Sequence, residues 1–228
     1  WWSTRGGGEW PASAELALVT AQDGGQLVGI APLFLSENRD GEPSLLLLGS
    51  IEISDYLDLI VRPAHLSTFV HGLMAFLATS SLPWKILDWH NLLESSPTLP
   101  VMQSEVQKLN WSCTIKKSYH APSIPLPGDF ETYLCSIDKK QRHEIRRKMR
   151  RAAEMGGVDW YIVTDETTLE GEIDSLFNLM STDPAKASFL TDSMRSQMRL
   201  SLRAAFDAGW LQLAFLTING IRAVVYVN

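Results

Sequence analysis

Near each end of the chain, two apolar runs are separated by a short polar turn. The first pair covers residues 16–20 and 27–35 around Asp23-Gly24-Gly25, and the second covers 210–218 and 221–227 around Asn219-Gly220. Asp-Gly and Asn-Gly favour tight turns because these residues accept positive φ. The pattern predicts two β-hairpins, and their similar design indicates a duplicated unit.

Between the hairpins, apolar positions predict further strands and helices. The predicted elements are strands at 44–49, 56–61, 85–90 and 111–115, helices from His65 and after Ser96-Pro97, a basic helix that follows Asp129 and ends at Gly156-Gly157, a strand at 158–163, and helices around 169–180 and from Thr191. This order is typical of an α+β fold with mixed, largely antiparallel sheets flanked by helices. Prolines 122, 125 and 127 indicate a boundary between domains at 1–126 and 127–228.

Composition narrows the classes of protein. The 228 residues are 45% hydrophobic and carry a net charge of −6, which predicts a folded core and makes a nucleic-acid partner unexpected. Cys113 and Cys135 are too few for a disulfide framework, and no metal-ligand spacing occurs, so we expect no metal and a reducing cytoplasm. No apolar run approaches the roughly 20 residues of a transmembrane helix, so none is expected.

Positive charge is concentrated in one segment. Residues 138–151 contain eight Lys and Arg against two acidic residues, a local charge of +6, so the rest of the chain carries −12. Helical geometry places Lys139, Arg142, Arg146 and Arg150 along one flank, where they can bind an anionic substrate, while Glu144 is expected to pair with cations one turn away. Alternatives are a solvated amphipathic helix and a site for nucleic acid or acidic lipid.

Weaker candidates for catalysis lie in the first half of the chain. Asp55, Tyr56 and Asp58 precede a predicted strand whose alternation places Tyr56 and Asp58 on one side, where they can position an amine or sugar hydroxyl or act as a base. Turn capping by Ser54 and Asp55 is the structural alternative. His90 ends another predicted strand and can act as a base near pH 7, or it can be an ordinary surface histidine.

Several local motifs resemble those of the GNAT (Gcn5-related N-acyltransferase) superfamily. The second half resembles the first part of a GNAT domain, and the chain as a whole resembles CelD-like proteins with two tandem GNAT-like domains, distant relatives of Fem-type aminoacyltransferases. The motifs are Gly29-Ile30-Ala31-Pro32-Leu33, Ser54-Asp55-Tyr56-Leu57-Asp58, Asp138-Lys139-Lys140-Gln141-Arg142-His143-Glu144-Ile145-Arg146-Arg147-Lys148 and Ala187-Ser188-Phe189-Leu190-Thr191.

The resemblance implies transfer of an acyl group from acetyl-CoA or another acyl-CoA to a small-molecule or sugar- or peptide-linked amine. The family holds the pyrophosphate with an Arg/Gln-x-x-Gly-x-Gly/Ala loop that opens a helix. The letters of that loop occur once, from Gln26 to Ala31, but they lie in the predicted first hairpin and open no helix. We therefore expect a first domain that is degenerate for cofactor binding and contributes substrate contacts through Asp55, Tyr56 and Asp58. The second domain is expected to be truncated at its C-terminus, with the acyl-CoA-binding half beyond Asn228, so that the chain alone is inactive. The alternative function is a catalytically inactive module that docks an acidic partner through residues 139–151.

Overall fold

A computed structural model describes residues 1–49 and 51–228 and shows an α+β protein that divides into two compact units, Trp1–Ser118 and Tyr119–Asn228. Both units contain small sheets flanked by helices, in agreement with the predicted fold class. Within the described ranges, no helix combines the length and the apolar character needed to cross a bilayer.

The first unit contains seven described strands, three helices and two 3-10 turns. They are β1 (Glu15–Leu16), β2 (Val19–Asp23), β3 (Gln26–Ala31), β4 (Leu33–Glu37), β5 (Pro43–Leu47), β6 (Ile60–Val61) and β7 (Ile86–Leu87), with helices α1 (Arg5–Gly8), α2 (Leu66–Thr79) and α3 (Thr98–Lys108) and 3-10 turns at Trp2–Thr4 and Pro63–His65. The strands form two sheets: one has the order β1-β4-β5-β7, in which β5 and β7 are parallel, and the other is the antiparallel sheet β2-β3-β6.

The predicted first hairpin is confirmed. Strands β2 and β3 pair antiparallel, and Gly24 and Gly25 adopt φ values of 54° and 79° in the turn. The predicted second strand, however, is divided at Pro32, which has no N–H to donate, and its continuation β4 belongs to the other sheet. Helix α2 packs against β3 so closely that a Cβ on Gly29 would lie 2.3 Å from Cδ2 of Phe69.

The helical stripe predicted after His65 is also confirmed. Phe69, Val70, Leu73, Met74 and Leu77 are all buried on one side of α2. Each such side chain contributes about 1.5–3 kcal/mol of transfer free energy on burial, so this stripe is a major source of stability for the hydrophobic core of the first unit.

Three strand predictions in this unit need correction. The segments 56–61 and 85–90 form strands only at β6 and β7, and residues 111–115, all of which the structure describes, form no strand. Trp111 packs on the core, with its ring edge-on to that of Trp84 and the centroids 5.7 Å apart, whereas Cys113 and Ile115 are exposed. Packing therefore explains the apolar pattern of this segment only at Trp111.

The second unit contains the elements α4 (Phe130–Ser136), α5 (Lys139–Met155), β8 (Val158–Ile162), α6 (Glu166–Met180), α7 (Pro184–Phe189), α8 (Asp192–Asp207), β9 (Leu213–Ile218) and β10 (Ile221–Val227). Its strands form one antiparallel sheet of order β10-β9-β8. The second predicted hairpin is confirmed, and its turn residues Asn219 and Gly220 have φ values of 51° and 77°. The core is formed mainly by α6 and β9, whose residues Leu169, Ile173 and Leu213 have no exposed area.

The predicted basic helix is two helices. The Asp129 carboxylate caps α4 by accepting from Thr132 N at 2.8 Å, as predicted, but a second cap follows at Asp138, whose carboxylate accepts from the N–H groups of Lys140 and Gln141. Two caps in one segment start two helices, because each satisfies backbone N–H groups that a continuing helix would bond internally. Helix α5 has 17 residues, and none of them is buried.

The two hairpins differ in their place within their sheets. In the first unit the second strand of the hairpin, β3, is central, whereas in the second unit the first strand, β9, is central. The third strand follows the hairpin along the chain in the first unit and precedes it in the second. The duplication of two GNAT-like domains therefore stays a prediction.

Candidate functional site

Asn91 joins two segments of the first unit that carry predicted site residues. Its side-chain N–H groups donate to the backbone carbonyl oxygens of Ile51 (3.2 Å) and Ser54 (2.5 Å), and its backbone carbonyl oxygen accepts from Leu57 N at 3.0 Å. Asn91 has a φ of 59°, a left-handed conformation that asparagine tolerates better than most residues. The loop that follows β5 is thus held against the segment that ends at His90.

The side chains of His90 and Asp88 lie within ion-pair distance of each other after β7. His90 Nε2 lies 3.2 Å from Asp88 Oδ1, and each side chain is about 30% exposed. Both line a cavity of about 10 Å³ together with Trp10, Gly49 and Leu57. A cavity of that size holds about one water molecule and no substrate.

The other first-unit candidates do not form the predicted arrangement. Residues 55–59 are not a strand, so the alternation that placed Tyr56 and Asp58 on one side is wrong. The Asp58 carboxylate accepts from Ser96 Oγ at 2.5 Å and from Leu59 N at 2.8 Å, which fixes it at the beginning of α3. Asp55 and Tyr56 are exposed. Asp58 is thus held at the start of α3, and the predicted grouping of Tyr56 and Asp58 on one side of a strand is not formed.

The four predicted substrate-binding cations of α5 have two different environments. The Arg142 guanidinium donates to the carbonyls of Leu134 (3.1 Å) and Cys135 (3.2 Å) at the end of α4, and Arg146 forms an ion pair with Glu131. These two arginines hold α4 against α5. Lys139 and Arg150 are exposed, and no carboxylate of the described residues lies within ion-pair distance of either.

Glu144 pairs with neighbouring cations, as predicted. Arg147 lies 2.7 Å and Lys148 3.7 Å from Glu144 Oε1, and the Arg147 hydrogen bond lowers the pKa of Glu144. A shallow groove of about 470 Å³ lies on this side of the helix. Its lining is Tyr133, Ile137, Asp138, Lys140, Gln141, Glu144 and Ile145.

One polar cluster was not foreseen from the sequence. Tyr161 on β8, Glu172 on α6 and Arg222 on β10 are mutually hydrogen-bonded: Tyr161 OH lies 3.1 Å from Glu172 Oε2, Arg222 Nε donates to Tyr161 OH at 2.8 Å, and Arg222 Nη2 lies 2.7 Å from Glu172 Oε1. Only 9% of Glu172 is exposed. The Tyr161 ring stacks on that of Phe215 at 5.5 Å, and the Arg222 guanidinium lies over the same ring.

The electrostatics of this cluster follow from burial. Burial raises the pKa of Tyr161, Glu172 adds to the rise, and Arg222 opposes it. Hydrogen bonds to Tyr161 and Glu172 raise the pKa of Arg222. The signal in the sequence was Glu172 itself, a charged residue between Leu169 and Ile173 on the buried stripe of α6, because a buried carboxylate requires a partner. Each of the three side chains is hydrogen-bonded to both of the others, which fits a structural role.

Neither unit, in the ranges described, brings three His, Cys, Asp or Glu side chains together as a metal site would need.

Comparison with known proteins gives one match. Residues 139–226 match the family described as the acetyltransferase (GNAT) domain. The match covers less than half of the chain and runs from the start of α5 into β10. No curated protein matches the chain, and no solved structure matches it either. Residues 139–226 of the second unit are therefore similar to a GNAT acetyltransferase domain, and acyl transfer is the activity that this similarity suggests.

Proposed function

We propose that the protein is an N-acyltransferase that moves an acyl group from acetyl-CoA or another acyl-CoA to an amine. The observation that carries the proposal is the match of residues 139–226 to the GNAT acetyltransferase domain. The matched segment consists of consecutive elements of one compact unit. We assign acyl transfer to this second unit, and we place the protein in the cytoplasm, where acyl-CoA donors are available.

The proposed reaction is a direct transfer. The amine nitrogen forms a bond to the thioester carbonyl carbon, the carbon–sulfur bond breaks, CoA leaves as the thiolate, and the proton of the amine passes to a base. Backbone N–H groups stabilise the oxyanion of the tetrahedral intermediate. The candidates for proton transfer or acceptor contact that the sequence supplied are Asp55, Tyr56, Asp58 and His90, and all of them lie in the first unit. We assign none of them as the base for the transfer in the second unit.

The acceptor we propose is an amine that carries an anionic group, either a small molecule or an amine linked to a sugar or peptide. Lys139 and Arg150 support this class because both are exposed and available for a phosphate or carboxylate. Arg142 and Arg146 already bind the Leu134 carbonyl and the Glu131 carboxylate of α4, so in this proposal they hold α5 in position. In this arrangement Arg142 and Arg146 position the helix, while Lys139 and Arg150, near opposite ends of α5, are available to separate anionic groups of the acceptor.

The test is an assay of CoA release. The full-length protein is incubated with acetyl-CoA or a longer acyl-CoA and a panel of amines with and without phosphate groups, and thiol release and acceptor mass are measured. We expect one free thiol for each acylated amine. Release of no thiol, together with no heat of acyl-CoA binding in calorimetry, would overturn the proposal.

A pair of variants tests the acceptor class. Lys139→Gln/Arg150→Gln is expected to raise KM for a phosphate-bearing amine about fivefold for each cation removed and to leave KM for a neutral amine unchanged. The matched control is Lys85→Gln/Lys116→Gln, which removes the same charge from exposed positions of the first unit. Equal effects of both variants would exclude a specific role for α5.

The second candidate function is a catalytically inactive module that docks an acidic partner through α5. The observation that favours it is that α5 has no buried residue along its 17 positions. Binding that needs no CoA and weakens steeply with salt would support this function.

A further inference from the structure

We infer that α5 binds the surface of an anionic lipid bilayer. This inference does not rest on acyl transfer, because it follows from the exposure, charge and apolar residues of one helix. The bilayer is contacted from outside by the helix lying along it, as amphipathic helices do at the boundary between headgroups and acyl chains.

The apolar side of α5 is only partly covered. At 100° per residue, Ile145, Met149, Ala152 and Met155 fall within one apolar arc of the helix. Ile145 and Ala152 are half-buried, whereas Met149 is 54% exposed and Met155 is 68% exposed. By comparison, α6 has 15 residues and buries five of them. Because most helical stability in proteins comes from packing an apolar face, two exposed methionines on the apolar arc of a long helix indicate a surface that packs elsewhere.

The charge on the remaining arc is available for anions. Lys140 and Arg151 are exposed, and among the described residues neither has a carboxylate partner. Arg147 and Lys148 share the single carboxylate of Glu144. The local charge of +6 contrasts with −12 on the rest of the chain. Since the screening length at physiological salt is about 8 Å, an anionic surface is attracted by this helix and repelled by the rest, which sets the orientation of binding.

Exposed apolar side chains favour a lipid surface over a nucleic acid. Phe130 at the start of α4 is 50% exposed and contacts the ring of Tyr133. Tyr133 and Ile145 in turn line the groove between α4 and α5, and Lys140 lies in the same lining. A phosphate backbone would use the cations but would leave Phe130, Met149 and Met155 in water. A phospholipid surface satisfies both, with phosphates for the cations and acyl chains for the apolar groups.

The experiment is co-sedimentation of the protein with vesicles of phosphatidylcholine with and without phosphatidylglycerol, at about 0.1 M and about 1 M salt. We expect binding only to vesicles that contain phosphatidylglycerol, and release at the higher salt. Lys140→Gln/Arg151→Gln should weaken binding about 25-fold, since each cation near an anionic surface contributes about fivefold. Met149→Ser/Met155→Ser should weaken binding severalfold. The control Lys85→Gln/Lys116→Gln should bind as the unchanged protein does.

All of these side chains are exposed, so circular dichroism should show an unchanged fold in each variant. Absence of binding to phosphatidylglycerol vesicles would overturn the inference. So would equal losses in the α5 variant and the control. Binding to a DNA duplex that exceeds vesicle binding, with no effect of the methionine substitutions, would assign α5 to nucleic acid instead. Failure here leaves the CoA-release assay unaffected, so the two proposals are tested separately.

Discussion

Substitution of Arg222 by methionine tests whether the cluster with Tyr161 and Glu172 stabilises the second unit. Methionine keeps much of the side-chain length and removes the guanidinium, so the Glu172 carboxylate is left with the Tyr161 hydroxyl as its partner. The Glu172 side chain is 11% exposed and that of Arg222 is 41% exposed. The carboxylate therefore loses its counter-ion while it remains largely inside the protein.

The expected cost has two parts. Removal of one partner of a fully buried ion pair costs about 3–5 kcal/mol, and the partial exposure of Arg222 lowers this to about 2 kcal/mol because water reaches the outer side of the pair. Loss of the guanidinium over the Phe215 ring, 5.3 Å away, adds about 0.5–1 kcal/mol. We expect the free energy of unfolding to fall by about 3 kcal/mol, which lowers Tm on the order of 10 °C for a unit of this size.

The assay is urea denaturation followed by circular dichroism, with Arg222→Met compared with Glu172→Gln and with the double variant. Because a neutral amide costs less than an unpaired carboxylate, the double variant should lose less stability than the sum of the single losses. A loss below about 0.5 kcal/mol for Arg222→Met would refute the reasoning, since it is the size expected for an ordinary surface substitution. Additive losses would show that the two residues act independently.

Three further outcomes are expected. Burial raises the pKa of Tyr161, so its contribution to stability is present below its ordinary pKa of 10.0 and is lost as pH rises through the folded value; unfolding titrations should show a steeper alkaline loss in the unchanged protein than in Tyr161→Phe, and parallel curves would contradict this. Gly29→Ala should lower the stability of the first unit by about 1–3 kcal/mol in urea, because the added Cβ would meet the Phe69 ring at 2.3 Å, whereas Gly72→Ala on open helix surface should be neutral or slightly stabilising. Asp138→Ala should cost about 1 kcal/mol and reduce helical circular dichroism, since the cap of α5 is lost, while Asp138→Asn should retain most of it.

Local chemistry made the hairpins and the long helices predictable. Each hairpin turn contains residues that accept positive φ, and α2 carries its apolar positions at the spacing of a single helical face. Asp129 and Thr191 were predictable as caps because a short polar side chain preceded a helical run, and both accept from backbone N–H groups. In these elements the neighbours along the chain decide the structure.

Contacts between distant residues account for what sequence reasoning missed. Tyr161, Glu172 and Arg222 lie up to 61 positions apart, and the sequence near each of them does not indicate that the other two are its partners. The same is true of Arg142, which looked like an anion-binding residue and instead donates to carbonyls of the preceding helix. The sequence around an arginine does not show whether its partner is a substrate or another part of the chain. The division of the α5 cations into two that bind α4 and two that are exposed could therefore be found only from the fold.

The contacts of Arg142 have a consequence for the dynamics of the chain. Helix α4 has seven residues, too few to persist alone in water, and the guanidinium of Arg142 and the Glu131–Arg146 pair attach it to α5. The amides of α4 and α5 should therefore exchange with deuterium as one cooperative block. A ligand that draws Arg142 away from those carbonyls would remove one of the two polar attachments of α4, so deuterium exchange of the α4 amides should quicken when such a ligand binds α5.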